Sequence, residues 1–134
     1  MTDTVGIIMT GDNDARLAEL TRVRSVAALP VAGRYRLIDF TLSGMVNSGI
    51  SNVGVTTRSN YRSLMDHLGS GKEWDLNRKL YGLRILPPYI QGGEQYRGDM
   101  DVLHGIKTFL EHSKQKYVLI AHGDILYNPR FEAL

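Results

Sequence analysis

Near the start of the chain stands an uninterrupted uncharged run, Val5-Gly6-Ile7-Ile8-Met9, closed by Thr10-Gly11. Continuous β-branched runs of this length make the strands of parallel sheets, which are covered on both faces. A parallel strand needs a long crossover to its neighbour, so the chain is committed to alternating strands and helices. The glycine turn after such a strand is also where α/β proteins commonly hold phosphate. Here the turn continues through Asp12-Asn13-Asp14-Ala15 into Arg16-Leu17. Two carboxylates stand where a phosphate cradle wants bare backbone. A plain loop and a phosphate site are both open readings of it.

The remaining segments follow the same alternation. Residues 16–24 carry three arginines without a clear period and read as irregular. Pro30 and Gly33 punctuate the next stretch. Leu37-Ile38 reads as an apolar step before a helix capped by Asp39, with Phe40, Leu42, Met45 and Val46 at helical spacing. Asn47-Ser48-Gly49 ends that helix, with Gly49 just past its end. Residues 50–56 read as the second strand, reached by a right-handed crossover. A helix over residues 59–68 presents Tyr61, Leu64 and Leu68 on one face and stops at Gly69-Ser70-Gly71. Residues 72–81, with the only tryptophan at Trp74, read as a surface segment. Residues 83–86 form a short strand cut by Pro87-Pro88, and residues 89–98 a polar, glycine-containing loop. A third helix starts near Asp99, with Val102, Leu103, Ile106, Phe109 and Leu110 on its apolar face. Residues 117–121 are another apolar strand, with His122-Gly123-Asp124 just beyond it. The expected class is α/β: a mostly parallel sheet flanked by helices, with at least one sheet edge left open.

Composition removes several functions. The 134 residues include no cysteine, which excludes disulfides, thiolate zinc sites and thiol catalysis. Net charge is +2 with the basic residues scattered, so no nucleic-acid partner is expected. No apolar run approaches the ~20 residues of a membrane span, and no signal segment precedes Val5. A soluble, cytoplasmic protein without a membrane partner is the expectation.

Candidate chemistry lies at the ends of strands. Asp124 follows a buried strand and a glycine, at the edge where α/β ligands bind. An acid there can hold Mg²⁺ beside a phosphate, or can simply be a turn residue. Asp101 near a helix start is either a first-turn residue favoured by the helix dipole or a chemical group. Arg34-Tyr35-Arg36 sets two arginines around an aromatic, which suits phosphate or a solvated strand face equally. The histidines at 67, 104, 112 and 122 show no metal-ligand spacing and read as ordinary.

In order along the chain, these segments resemble the sugar-nucleotide pyrophosphorylases, specifically the glucose-1-phosphate adenylyltransferase (ADP-glucose pyrophosphorylase) family. The most specific stretches are Leu29-Pro30-Val31-Ala32-Gly33-Arg34-Tyr35-Arg36-Leu37-Ile38-Asp39-Phe40 and Tyr61-Arg62-Ser63-Leu64-Met65-Asp66-His67-Leu68-Gly69-Ser70-Gly71-Lys72-Glu73-Trp74-Asp75-Leu76. The second resembles the regulatory-type subunit that accompanies the catalytic one in glycogen-making bacteria. Tyr96-Arg97-Gly98 with Asp101, and Gly123-Asp124 after the last strand, continue the likeness. The resemblance implies a Rossmann-like nucleotidyltransferase domain. Residues 1–134 would be its N-terminal portion, with a β-helix domain outside them. It implies transfer of an adenylyl group from ATP to glucose 1-phosphate, Mg²⁺ dependence, and a hetero-oligomer with a catalytic partner subunit.

Carried over residue by residue, the family's nucleotide loop matches Gly11, Arg16 and Leu17, but its later glycines are replaced by Asp12 and Asp14. Its phosphate-binding lysine falls on Val26, which leaves Arg16 vestigial and no confident catalytic residue. Its Gly-Thr-Ala-Asp segment becomes Gly98-Asp99-Met100-Asp101, which keeps Gly98 and Asp101 as nucleotide-binding candidates. Glutamines that contact adenine are replaced near Tyr89 and Ile90. Asp124 is the retained metal ligand. The basic residue of the effector site falls on Arg34, with Arg36 beside it as a second candidate for a phosphorylated metabolite. Like charges ~4 Å apart at a surface-like dielectric cost about 4 kcal/mol. A lost lysine–phosphate bond costs roughly 1.5–3 kcal/mol. The expected function is therefore a regulatory, catalytically impaired subunit. The alternatives are an active sugar-1-phosphate nucleotidyltransferase and a non-enzymatic α/β ligand-binding module.

Overall fold

The computed structural model describes residues 1–11, 15–87 and 98–134. Strand β1 (Thr4–Met9) is buried along its whole length. It is followed by a 3₁₀ turn at Ala15–Leu17 and one turn of helix α1 (Ala18–Thr21), where irregular chain was expected. The Thr21 hydroxyl donates to the Leu17 carbonyl at 3.1 Å, a local bond that steadies a segment without apolar period. A second 3₁₀ turn, Val26–Ala28, leads into β2 (Pro30–Val31), which pairs antiparallel with β3 (Tyr35–Arg36). The Pro30 and Gly33 punctuation thus marks a small hairpin.

Helix α2 (Leu37–Asn47) begins earlier than expected. Asp39 is its third residue, not its cap, and accepts a hydrogen bond from the Arg36 N–H at 2.9 Å. Burial explains the shift. Ile38, Leu42 and Met45 are all fully buried, and only a helix that includes Ile38 puts the three on one face. The helix closes at Ser48 and Gly49, as the sequence indicates.

Strand β4 (Asn52–Thr56) follows, then α3 (Arg62–Leu68) and β5 (Gly82–Leu86). The segment between α3 and β5 is not merely surface. A 3₁₀ turn at Lys72–Trp74 lays Trp74 against the core, and Leu76 is only 2% exposed. Leu76→Ala is accordingly expected to destabilise the protein by about 2–5 kcal/mol, seen as a lowered urea midpoint. A truly superficial Leu76 would leave that midpoint unchanged.

Helices α4 (Asp99–Gly105) and α5 (Lys107–His112) are the expected third helix, interrupted at Ile106. The last strand, β6 (Tyr117–His122), precedes a 3₁₀ turn at Phe131–Ala133. The loop expected at residues 89–98 falls outside the described residues except for Gly98.

The sheet is parallel throughout, in the order β5-β4-β1-β6. Alternation along β1 divides its side chains between two layers. Ile8 faces Ile38, Leu42 and Met45 of α2 and Leu64 and Leu68 of α3. Ile7 and Met9 face Val102 and Ile106, with Phe109 and Leu110 beside them. Helices therefore cover both faces, as an α/β sheet requires. Coverage stops at β6, where Val118 and Ile120 stay 48% and 45% exposed along a sheet edge.

Candidate functional site: the crevice between β1 and β6

The strand order places a site without reference to any motif. From β1 the chain crosses to β4 and on to β5, and α2 and α3 pack on one face. It then returns along the opposite face through α4 and α5 to β6, on the other side of β1. The direction of winding reverses between β1 and β6. In open α/β sheets ligands bind outside the C-terminal ends of the strands at such a reversal. Two sequence-selected residues lie there. A methyl group built on Gly11 would come within 2.8 Å of Asp124 Oδ2, so the turn after β1 and the acid after β6 face each other. Any side chain at residue 11 would displace that carboxylate.

The walls of the crevice are fixed by hydrogen bonds. Thr10 Oγ1 donates to the Thr56 carbonyl at 2.7 Å, clamping the ends of β1 and β4. The Gly123 N–H donates to the Met9 carbonyl at 2.9 Å, and Thr41 Oγ1 donates to the His122 carbonyl at 2.9 Å. The second bond ties α2 to the turn that carries Asp124. Gly123 is required by packing, since a methyl group there would stand 2.7 Å from Ile8 Cγ2. These threonines escaped notice in the sequence. For Thr10 and Thr56 the only signal was a polar β-branched residue at the end of an apolar strand, and Thr41, inside α2, carried none.

Asp124 is partly buried, and its Oδ1 lies 3.9 Å from His122 Nδ1. Among the described residues no three potential ligands gather into a metal site. One partly buried carboxylate facing a glycine still suits Mg²⁺, which commonly takes one or two carboxylates and fills its remaining positions with water and phosphate oxygens.

The other candidates are dispersed. Arg16 is exposed on its 3₁₀ turn. Val26 is 7% exposed, and its neighbours Ala27 and Ala28 belong to the core, so the position is an apolar wall. Gly98 has an extended backbone (φ −178°), and a methyl group on it would meet nothing within 4 Å. Nothing in the described packing demands glycine there. Asp99 and Asp101 both occupy the first turn of α4, where an acid complements the helix dipole. Arg58, just past β4, lies 3.8 Å from the Asp99 carboxylate and links the two segments. Arg34 is exposed in the hairpin turn. Arg36 differs from it, because its Nη1 donates to the Ala28 carbonyl at 2.6 Å. That bond gives Arg36 a structural task inside the fold. Asp12, Asp14, Tyr89 and Ile90 lie outside the described residues.

A doubly covered parallel sheet with a winding reversal between β1 and β6 defines an open α/β domain whose ligand edge lies at that reversal. The nucleotidyl transferase family model matches residues 5–134, and the chain belongs to that family. It is 46% identical over 132 residues to the glycogen biosynthesis protein GlgD of Geobacillus stearothermophilus, covering 97% of this chain and 38% of that protein. It is 40% identical over 134 residues to the glucose-1-phosphate adenylyltransferase of Halalkalibacterium halodurans, covering 98% of this chain and 35% of that protein. The corresponding enzyme of Thermotoga maritima is 43% identical over 136 residues, covering all of this chain and 32% of that protein. The chain thus spans about a third of the length of these relatives. A crystal structure described as a glucose-1-phosphate thymidylyltransferase from Bacillus anthracis with sucrose has the same fold. It aligns with TM-score 0.75 at 21% identity, over 97% of this chain and 48% of that one.

Proposed function

We propose that residues 1–134 are the N-terminal portion of a regulatory-type subunit of glucose-1-phosphate adenylyltransferase, serving glycogen synthesis in the cytoplasm. No helix among the described residues is long and apolar enough to cross a membrane. The assembly would join ATP to glucose 1-phosphate, giving ADP-glucose and pyrophosphate, with the chemistry done in a catalytic partner subunit. The carrying observation is Val26. Where the resemblance puts a phosphate-binding lysine, this chain has a side chain 7% exposed, next to core alanines. Phosphoryl-type transfer relies on positioning and charge neutralisation, so a crevice without that cation is weakened where it matters most.

In this reading Gly11 leaves room beside Asp124, and Asp124 would hold Mg²⁺ against a bound nucleotide's phosphates. The ion would neutralise phosphate charge. Gly98 and Asp101 would border the nucleotide. Arg34, exposed in the hairpin turn, would contact a phosphorylated effector, while Arg36 keeps the hairpin in place.

A second reading, a working sugar-1-phosphate nucleotidyltransferase, is favoured by one observation. The Gly11–Asp124 juxtaposition is intact. An assay of the full-length protein that contains these residues, alone and mixed with a catalytic homologue, separates the two. The regulatory reading expects little ADP-glucose from the full-length protein alone, and a changed response of the partner to phosphorylated metabolites. Vigorous unaided synthesis would end it.

A further inference from the structure

Outside the crevice, a polar cluster around His67 has no part in the chemistry just described. His67 lies in the last turn of α3. Its Nε2 stands 2.6 Å from Asp39 Oδ1, and the two side chains are only 17% and 11% exposed. At that distance the ring nitrogen donates to the carboxylate. The other Asp39 oxygen is the one that accepts the Arg36 N–H. The imidazole is backed by Trp74, edge-on with centroids 6.0 Å apart, and Trp74 Nε1 donates to Ser43 Oγ at 3.3 Å. A continuous set of contacts thus runs from α3 through α2 to Arg36, and on to the Ala28 carbonyl.

Arg36 is a junction. It is the last residue of β3 and immediately precedes α2. The hairpin it closes has two residues per strand, too few to hold its shape alone. Its conformation must come from what grips its base. A carboxylate bonded through both oxygens has one orientation. With one partner removed, it can turn toward water and release the other.

We propose that His67 is a positioning residue for the β2–β3 hairpin: through Asp39 it holds the Arg36 backbone, and so sets where Arg34 stands. The part concerning Arg34 rests on the function proposed above.

The test uses the full chain and its His67→Ala, His67→Gln and Arg34→Ala variants. Amide hydrogen exchange reads the hairpin directly. In His67→Ala the Arg36 and Leu37 amides should exchange about tenfold faster, with the Ile7 and Val53 amides unchanged. In His67→Gln exchange should return to near the wild-type rate, because the carboxamide nitrogen stands where Nε2 does. A uniform rise across the sheet, no rise at Arg36, or a glutamine variant no better than alanine each overturns the positioning role. Titration with inorganic phosphate reads Arg34. Binding should weaken in Arg34→Ala and His67→Ala, and recover in His67→Gln. A wild-type chain that binds no phosphate overturns the Arg34 contact, while the exchange data decide the role of His67 independently.

Discussion

Replacing Asp12 and Asp14 by glycine and Val26 by lysine is expected to raise ADP-glucose synthesis by the full-length protein about a hundredfold or more. One charge-assisted bond to phosphate contributes roughly 1.5–3 kcal/mol, which is about ten- to a hundredfold in rate if it acts in the transition state. Removing two negative charges from the loop that the resemblance assigns to phosphate adds to this. The gain carries a structural cost. Val26 is 7% exposed, so a lysine there must thread its stem along the core alanines and bring its ammonium to the crevice. A loss of about 1–3 kcal/mol in stability should accompany the higher rate. Initial rates and urea midpoints of the same samples measure both. An unchanged rate from an already fast wild type would favour the working-transferase reading.

Gly82→Ala should be among the most damaging single substitutions in the described fold. Gly82 opens β5 with φ +94°, a conformation side chains rarely adopt. A methyl group built there falls on the Leu76 carbonyl oxygen, which is backbone and cannot swing aside. The Gly82 and Leu83 N–H groups donate to the Ser51 and Leu76 carbonyls at 2.8 and 3.0 Å, so the strand start is held from both sides. Strain and displacement together should cost about 3 kcal/mol or more. Gly98→Ala is the control. Its extended backbone and open surroundings predict a change within about 0.5 kcal/mol. Denaturant unfolding of the pair checks both, and comparable losses would refute the distinction.

The sheet was legible because its strands are written as continuous apolar runs. β1 and β6 fall within one residue of the expected bounds, and β4 begins two residues late because Ile50 packs on the α2 side before pairing starts. The hairpin was not legible, since strands of two residues are too short to show a period. Leu76 was hidden because a single apolar residue in a charged stretch carries no pattern. Its burial follows from the turn at Trp74, a tertiary event. Part of the geometry of the candidate site was legible. Gly11 and Asp124 were chosen for their places after strands, and the fold brings them face to face. The engagement of His67 with Asp39 could not be read, because it joins two helices across 28 residues of sequence. The bond that Arg36 makes to the Ala28 carbonyl could not be read for a related reason. An arginine bonded to a nearby carbonyl and one offered to a ligand are spelled the same way.

The central place of β1 sets the order in which the molecule can assemble during synthesis. Its pairing with β4 joins segments about fifty residues apart, whereas its pairing with β6 spans more than a hundred. A nascent chain can therefore zip β1, β4 and β5 under α2 and α3 while β6 is still in the ribosome. The crevice does not exist at that stage, because one wall arrives only when β6 docks beside β1. The crevice is thus completed only by a pairing of long sequence separation and is absent from the early half-sheet.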